Sequence, residues 1–315
     1  MARLTHFMAR RVFLLILMSM LTFACSRNDG IVANSASTPP KKTSENLVHA
    51  MKAIEPFFKP MGKPKSYDWL ASHNEPGQTF DQYLDGNPTK PTKERQKIYV
   101  LPLGTFTPQQ KKIIDITAGY IEAFYDLPVS MMPARGIKRP LSVKDSRLNK
   151  STHKEQIRTG YILDGVLKPI IPVDGAALIA FTADDLYAGD ATNYVFGEAS
   201  LDNRVGVWSL ARLGDNANYD TFLRRTLKIA AHETGHMFSM RHCTKYECVM
   251  SGTNHLGETD SRPIDACPEC MAKTCWLTDT RPKERYERLA AFCRKNGMTK
   301  DADEFDRKAA AVRNI

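Results

Sequence analysis

Residues 231–250, AHETGHMFSMRHCTKYECVM, hold three histidines, two glutamates and two cysteines in one short run. Just upstream, Phe222, Leu223, Leu227, Ala230 and Ala231 recur at helical spacing, so residues 221 to 238 are expected to form a helix with one buried face. His232 and His236 stand four apart and share a helical face, where both imidazoles can reach one ion. Glu233 then projects beside that ion, placed to take a proton from a metal-activated water. HExxH alone is only moderately specific, because a core helix whose histidines merely satisfy hydrogen bonds reads the same way. His242, six residues after His236, shifts the balance: this is the spacing of the extended zinc motif HExxHxxGxxH. Three neutral imidazoles leave the fourth tetrahedral position open, as a working site requires. Ser239 stands where the motif has its glycine. A serine forced into the left-handed conformation there costs roughly 1–2 kcal/mol.

Cys243 abuts His242, Cys248 follows, and Cys267-Pro268-Glu269-Cys270 forms a CxxC pair. Four thiols in two close pairs match a closed four-thiolate zinc site, which stabilises structure and does no chemistry. Two disulfides are the rival reading, because the N-terminus reads as an export signal and would send the chain to an oxidising compartment. Zinc bound early would shield the thiolates, which favours the metal.

HETGHMFSMRHC, the CxxxxC followed by Val249-Met250, and the later CxxC closely resemble the archaemetzincins, zinc peptidases of the metzincin clan with a cysteine-bound zinc next to the catalytic one. The resemblance extends upstream to Ile98–Phe106 and the helix after it, to Asp184-Asp185-Leu186-Tyr187, Tyr194–Ser200 and Val205-Gly206-Val207. Downstream it takes in Leu256, Glu258 and Asp260, then the helices around Tyr286 and Leu289. It implies that His232, His236 and His242 bind catalytic zinc, that Glu233 is the general base, and that Cys243, Cys248, Cys267 and Cys270 hold a structural zinc, two Zn2+ per chain. Met250 would be the methionine of the Met-turn, packed beneath the metal without coordinating it. The implied fold is the α/β metzincin arrangement: a twisted mixed sheet with the active-site helix, a small zinc-stapled lower subdomain and C-terminal helices. Asn193–Ser200 would be the edge strand that pairs with an extended peptide or protein substrate. The chain departs from the family pattern at Ser239, in a slightly shorter gap before Cys267, and in its long N-terminus.

Elsewhere the pattern supports a mixed sheet. Ile98–Leu103 reads as a strand, and Thr107, Pro108 and Gln110 form a capping-box signature ahead of a helix that buries Ile113, Ile116, Tyr120, Ile121 and Phe124. Leu127–Met132 and Ala176–Phe181 read as strands, as do the stretches 193–200 and 205–213, whereas residues 134 to 159 read as a polar Arg/Lys-rich loop. Leu289, Ala290, Phe292, Phe305 and Val312 are spaced for terminal helices. Cys275 and Cys293 are left over, either bridged to each other or buried as thiols. His255 reads as a surface residue near the Met-turn.

The first 25 residues place Arg3, Arg10 and Arg11 before a short apolar run and end in Thr22-Phe23-Ala24-Cys25. This is the layout of a lipoprotein-type signal, with Cys25 as the lipidated residue; plain cleavage or an uncleaved anchor is the alternative. Ser26 after the cysteine points to the outer membrane, facing the periplasm. Residues 26–92 divide into a polar tether to about residue 45 and an extension with a short apolar helix and Pro- and Gly-punctuated loops, to which no function attaches. Residues 93–315 are the expected peptidase domain. The formal charge of +9 includes those three arginines, and the remaining basic residues are interleaved with acids. With no basic stripe alongside aromatics, a nucleic-acid partner is not expected. The resulting expectation is a lipid-tethered zinc metallopeptidase of the cell envelope. The rival is a non-catalytic peptide-binding lipoprotein on the same scaffold, favoured by Ser239 and opposed by the intact Glu233.

Overall fold

Seventeen strands and α-helices make up the computed structural model, which describes residues 41–139, 141–200 and 203–315. Cys25 and the expected leader lie outside the described residues. In chain order the elements are α1 (Lys41–Ile54), α2 (Trp69–Ser72), α3 (Phe80–Asp85), β1 (Lys97–Leu103), α4 (Pro108–Tyr125), β2 (Val129–Met131), β3 (Ser146–Leu148) and β4 (Glu155–Arg158). Next come β5 (Gly175–Thr182), β6 (Asp185–Tyr187), β7 (Gly197–Ala199), β8 (Val205–Ser209) and α5 (Tyr219–Met237). The chain then runs through α6 (Leu256–Ser261), α7 (Pro268–Thr278), α8 (Pro282–Lys295) and α9 (Thr299–Ala311).

The main sheet has the order β2-β1-β5-β8-β7, parallel throughout except for β7, which runs antiparallel to β8 at the edge. Parallel strands cannot be joined by a hairpin, and α4 supplies the crossover from β1 to β2. Its capping box forms as read: Thr107 accepts from the Gln110 amide, and the Gln110 side chain accepts from the Thr107 amide. Every residue of β5 is buried. Ile179 and Phe181 face the core shared with α4 and α5, and Leu178 and Ala180 pack with Ile162, Leu163 and Leu167 on the opposite face. A strand covered on both faces reads as a continuous apolar run, which is why Ala176–Phe181 was legible.

The expected loop at 134–159 is a correction. It contains β3 and β4, which join β6 in a separate three-stranded sheet. These strands are three or four residues long and partly polar, and side-chain bonds help hold them: Gln156 is buried and donates to Asp185 and to the Asn193 carbonyl. The edge strand is also shorter than expected, limited to Gly197–Ala199. Helix α1 begins at Lys41, inside the stretch read as tether, and sends Leu47, Ala50 and Ile54 into the main core beside α7.

Asp265, just ahead of the CxxC pair, ties the terminal helices to this core. Its carboxylate accepts from Arg285 on α8 and Lys308 on α9, each at 3.0 Å, and none of the three side chains is more than 3% exposed. Burial alone would raise the Asp265 pKa; Lys308 and Arg285 outweigh it and hold the carboxyl below its usual range. Asp265→Asn would leave the buried Arg285 without its counter-charge and Lys308 with Glu304 alone, a loss of up to about 3–5 kcal/mol. Urea unfolding at neutral pH should show that loss, and an unchanged midpoint would mean the cluster contributes no net stability. Because the folded pKa lies below the unfolded one, the contribution is complete above about pH 4 and is lost as pH falls through the depressed value.

Candidate metal centre

Helix α5 starts where Asn218 accepts from the Thr221 amide and buries Leu223, Leu227, Ala230 and Ala231 against the core. Its far end decides the site. Ser239 adopts a left-handed conformation (φ 64°), its amide donates to the His236 carbonyl at 2.9 Å, and the Met240 amide donates to the Gly235 carbonyl at 3.0 Å. These paired bonds close the helix and reverse the chain, the job usually given to glycine. The reversal returns His242 to His232 and His236, with ring centroids 5.1 and 5.0 Å away. The departure at Ser239 therefore does not displace the third histidine.

The donor set can be read from the hydrogen bonds. Nδ1 of His232 lies 2.9 Å from the Val249 carbonyl, Nδ1 of His236 lies 2.7 Å from the Met240 carbonyl, and Nδ1 of His242 lies 2.8 Å from a Glu75 carboxylate oxygen. Those oxygens only accept, so each Nδ1 carries the proton and each Nε2 keeps a free lone pair. Nε2 of His232 and Nε2 of His236 are 3.0 Å apart, a repulsive placement that a cation relieves. One ring nitrogen from each of the three lies within 4.8 Å of the others. Burial, with the neighbouring histidines adding, pushes His236 down to about 4 and His232 well below its usual value, which keeps both in the neutral ligating form. Three imidazoles of this tautomer fit a tetrahedral zinc with one open position.

Glu233 lines the same cleft as the three rings, with Tyr194, Phe196 and Glu198 on the edge-strand side. Burial, then the nearby charge of Glu198, pushes its carboxyl up to about 8. Met250 is buried beneath the helix and packs against Gly235: a Cβ at residue 235 would meet the Met250 sulfur at 2.6 Å and push the end of that side chain aside. Strand β7 ends the sheet beside this cleft.

The sulfurs of Cys243, Cys248, Cys267 and Cys270 all lie within 4.8 Å of one another, and all four residues are buried. They are unbridged thiols: Cys243 and Cys267 approach to 3.5 Å, far beyond a disulfide bond of about 2.0 Å. Tetrahedral zinc with sulfur ligands at about 2.3 Å spaces those sulfurs about 3.8 Å apart, close to the 3.5 Å between Cys243 and Cys267 and inside the 4.8 Å that bounds the cluster. The Met250 and Cys267 amides donate to the Cys248 sulfur at 3.4 and 3.2 Å. Burial pushes the Cys248 and Cys267 thiols well up, so releasing their protons takes a compensating cation. Cys275 and Cys293 are likewise unbridged, and burial pushes both up to about 12.

A third grouping, Asp68, His255 and Glu258, has a simpler explanation. Nδ1 of His255 accepts from the Glu258 amide and caps α6, which leaves the proton on Nε2 facing Asp68 at 3.4 Å. The Glu258 carboxylate is taken by the Trp69 and Asn254 amides and by Arg262. His255 is half-exposed, as its sequence context implied. Glu75 and Trp69, by contrast, stand against His242 and were not singled out in the sequence. Both lie in a long Pro- and Gly-punctuated stretch whose only local signal was its length.

Residues 111–275 match the family described as Peptidase family M54. Archaemetzincin-2 of Rattus norvegicus is 32% identical over 287 residues, covering 77% of this chain and 78% of the relative. Archaemetzincin-2 of Homo sapiens is also 32% identical, over 280 residues, with 77% and 76% covered. Among solved structures, the crystal structure of archaemetzincin from Archaeoglobus fulgidus is 29% identical, with 56% of this chain and 99% of that chain covered and a TM-score of 0.46.

Proposed function

Because the chain belongs to the archaemetzincin family (peptidase family M54) and is a zinc-dependent metallopeptidase, we propose that His232, His236 and His242 are its catalytic zinc ligands and Glu233 its general base. The observation that carries this reading is the convergence of three Nε2 lone pairs beside a buried carboxylate. Zinc held there by the three histidines would supply Lewis acidity toward a water and the scissile carbonyl. Glu233 would act as the general base, taking a proton from the attacking water and returning it to the departing amine. Strand β7 receives the peptide in extended form through its free backbone edge. Met250 packs under Gly235 and fixes the floor of the site. The cysteine cluster takes a second, structural zinc, for two ions per chain. Ser239 had favoured a binder without activity, but its left-handed geometry and the place of His242 support catalysis instead. Hydrolysis of a peptide panel by the zinc-loaded wild type, with Glu233→Gln as control, tests the assignment.

The layout of residues 1–25 further supports export and lipid attachment at Cys25, which would tether the enzyme in the envelope facing the periplasm. Cys25→Ser should then move the mature protein from the membrane fraction to the soluble one. A wild-type protein already soluble and beginning at another residue would refute the anchor.

A further inference from the structure

Residues 64 to 90 precede residues 111–275, which the family model matches, and they supply a partner to the third histidine. His232 and His236 each take a backbone carbonyl at Nδ1, whereas His242 takes a side chain, the Glu75 carboxylate, at 2.8 and 3.0 Å. The Trp69 ring meets His242 edge-on at 5.2 Å and stacks on His73 at 3.6 Å. The same segment secures the reversal that delivers His242. Gln78 donates to the Ser239 carbonyl and accepts from the Arg241 amide, and the Thr89 amide donates to the Ser239 hydroxyl at 3.0 Å. Those bonds offset the strain of a left-handed serine. The segment is pinned along its length. The Trp69 amide is held by Glu258, the Phe80 amide by Glu269 at 2.7 Å, and the Gln78 carbonyl by Lys273 at 2.5 Å. Trp69 also packs directly on the backbone of the Met-turn: a Cβ at residue 252 would meet its ring at 2.5 Å, so glycine is required there.

We propose that residues 64 to 90 form a strap that sets the third zinc ligand, with Glu75 as the positioning residue. The inference rests on the reading of His232, His236 and His242 as zinc ligands. Of the three, His242 is the one that follows the helix end and so is not held by α5 itself. Its ring orientation is fixed from outside, by a carboxylate that keeps the proton on Nδ1 and turns Nε2 toward the metal. Loss of such an outer partner typically lowers metal affinity about 10–100-fold.

The test is zinc affinity of the full chain, measured by competition with a chromophoric chelator, in wild type, Glu75→Ala, Glu75→Gln and His242→Ala. Glu75→Ala should weaken the open site about 10–100-fold, and Glu75→Gln, which keeps an acceptor oxygen without its charge, should fall between it and wild type. Zinc retained by the cysteines, and the thermal midpoint measured with the histidine site emptied by chelator, should stay at wild-type values in Glu75→Gln, which decides the question if the alanine variant folds poorly. Cobalt placed at the histidine site should show altered visible absorption in Glu75→Gln, a change that a remote packing role would not produce. If His242→Ala loses the ion while both Glu75 variants bind it as wild type does, the strap proposal is overturned and the ligand assignment stands. If His242→Ala also binds as wild type does, the ligand assignment itself fails and the proposal with it.

Discussion

Glu233→Gln should leave zinc bound and the fold intact while peptide hydrolysis falls at least ~10²-fold, the lower range for losing a general base. The substitution is nearly isosteric, and the group it changes is buried on α5 without being one of the three converging ligands. What disappears is basicity. A carboxylate lifted toward neutrality by burial and by Glu198 can hold a proton and release it, whereas an amide can do neither. Zinc content and circular dichroism should match wild type. Near-wild-type turnover in the variant would end the mechanism proposed above. Peptides with free and blocked amino termini in the same assay would show whether cleavage is terminal or internal.

Cys267→Ser should have the largest effect on stability. Cys267 sits at the N-terminus of α7 with Cys270 one turn on, so the cysteine cluster joins this helix to the loop carrying Cys243 and Cys248. A structural zinc contributes directly to folding free energy; the apparent value of ~10–16 kcal/mol for small zinc-finger peptides is an upper bound for a domain with its own core. The variant should retain one zinc where wild type should hold two, and it should unfold well below the wild-type midpoint. A chelator should strip the ion from the open histidine site first, abolishing activity while the wild-type fold survives. One zinc per wild-type chain, with cysteines alkylated only after reduction, would mean disulfides in place of the second metal. The catalytic assignment would survive that result, and the two-zinc assignment would not.

Wherever function depended on neighbours in the chain, the sequence was sufficient. His232, Glu233 and His236 belong to one helix, whose 3.6-residue period dictates a shared face, and its buried side was visible in the apolar spacing. The strain at Ser239 was legible too, because a motif glycine marks a backbone conformation and any other residue there must adopt it. Strand β5 and the capping box at Thr107 were equally local. Tertiary structure decided what depended on distant partners. Strands β3 and β4 are short and partly polar, and pairing with β6 is what makes them strands. The choice between thiols and disulfides at four cysteines rested on where the four sulfurs converge, and spacing along the chain carries no such distance. Glu75 is the extreme case, 167 residues before His242 in a stretch without periodicity. A lone glutamate in a loop looks like any solvated charge; only the folding of residues 64 to 90 back across the end of α5 gives that carboxylate a histidine to hold.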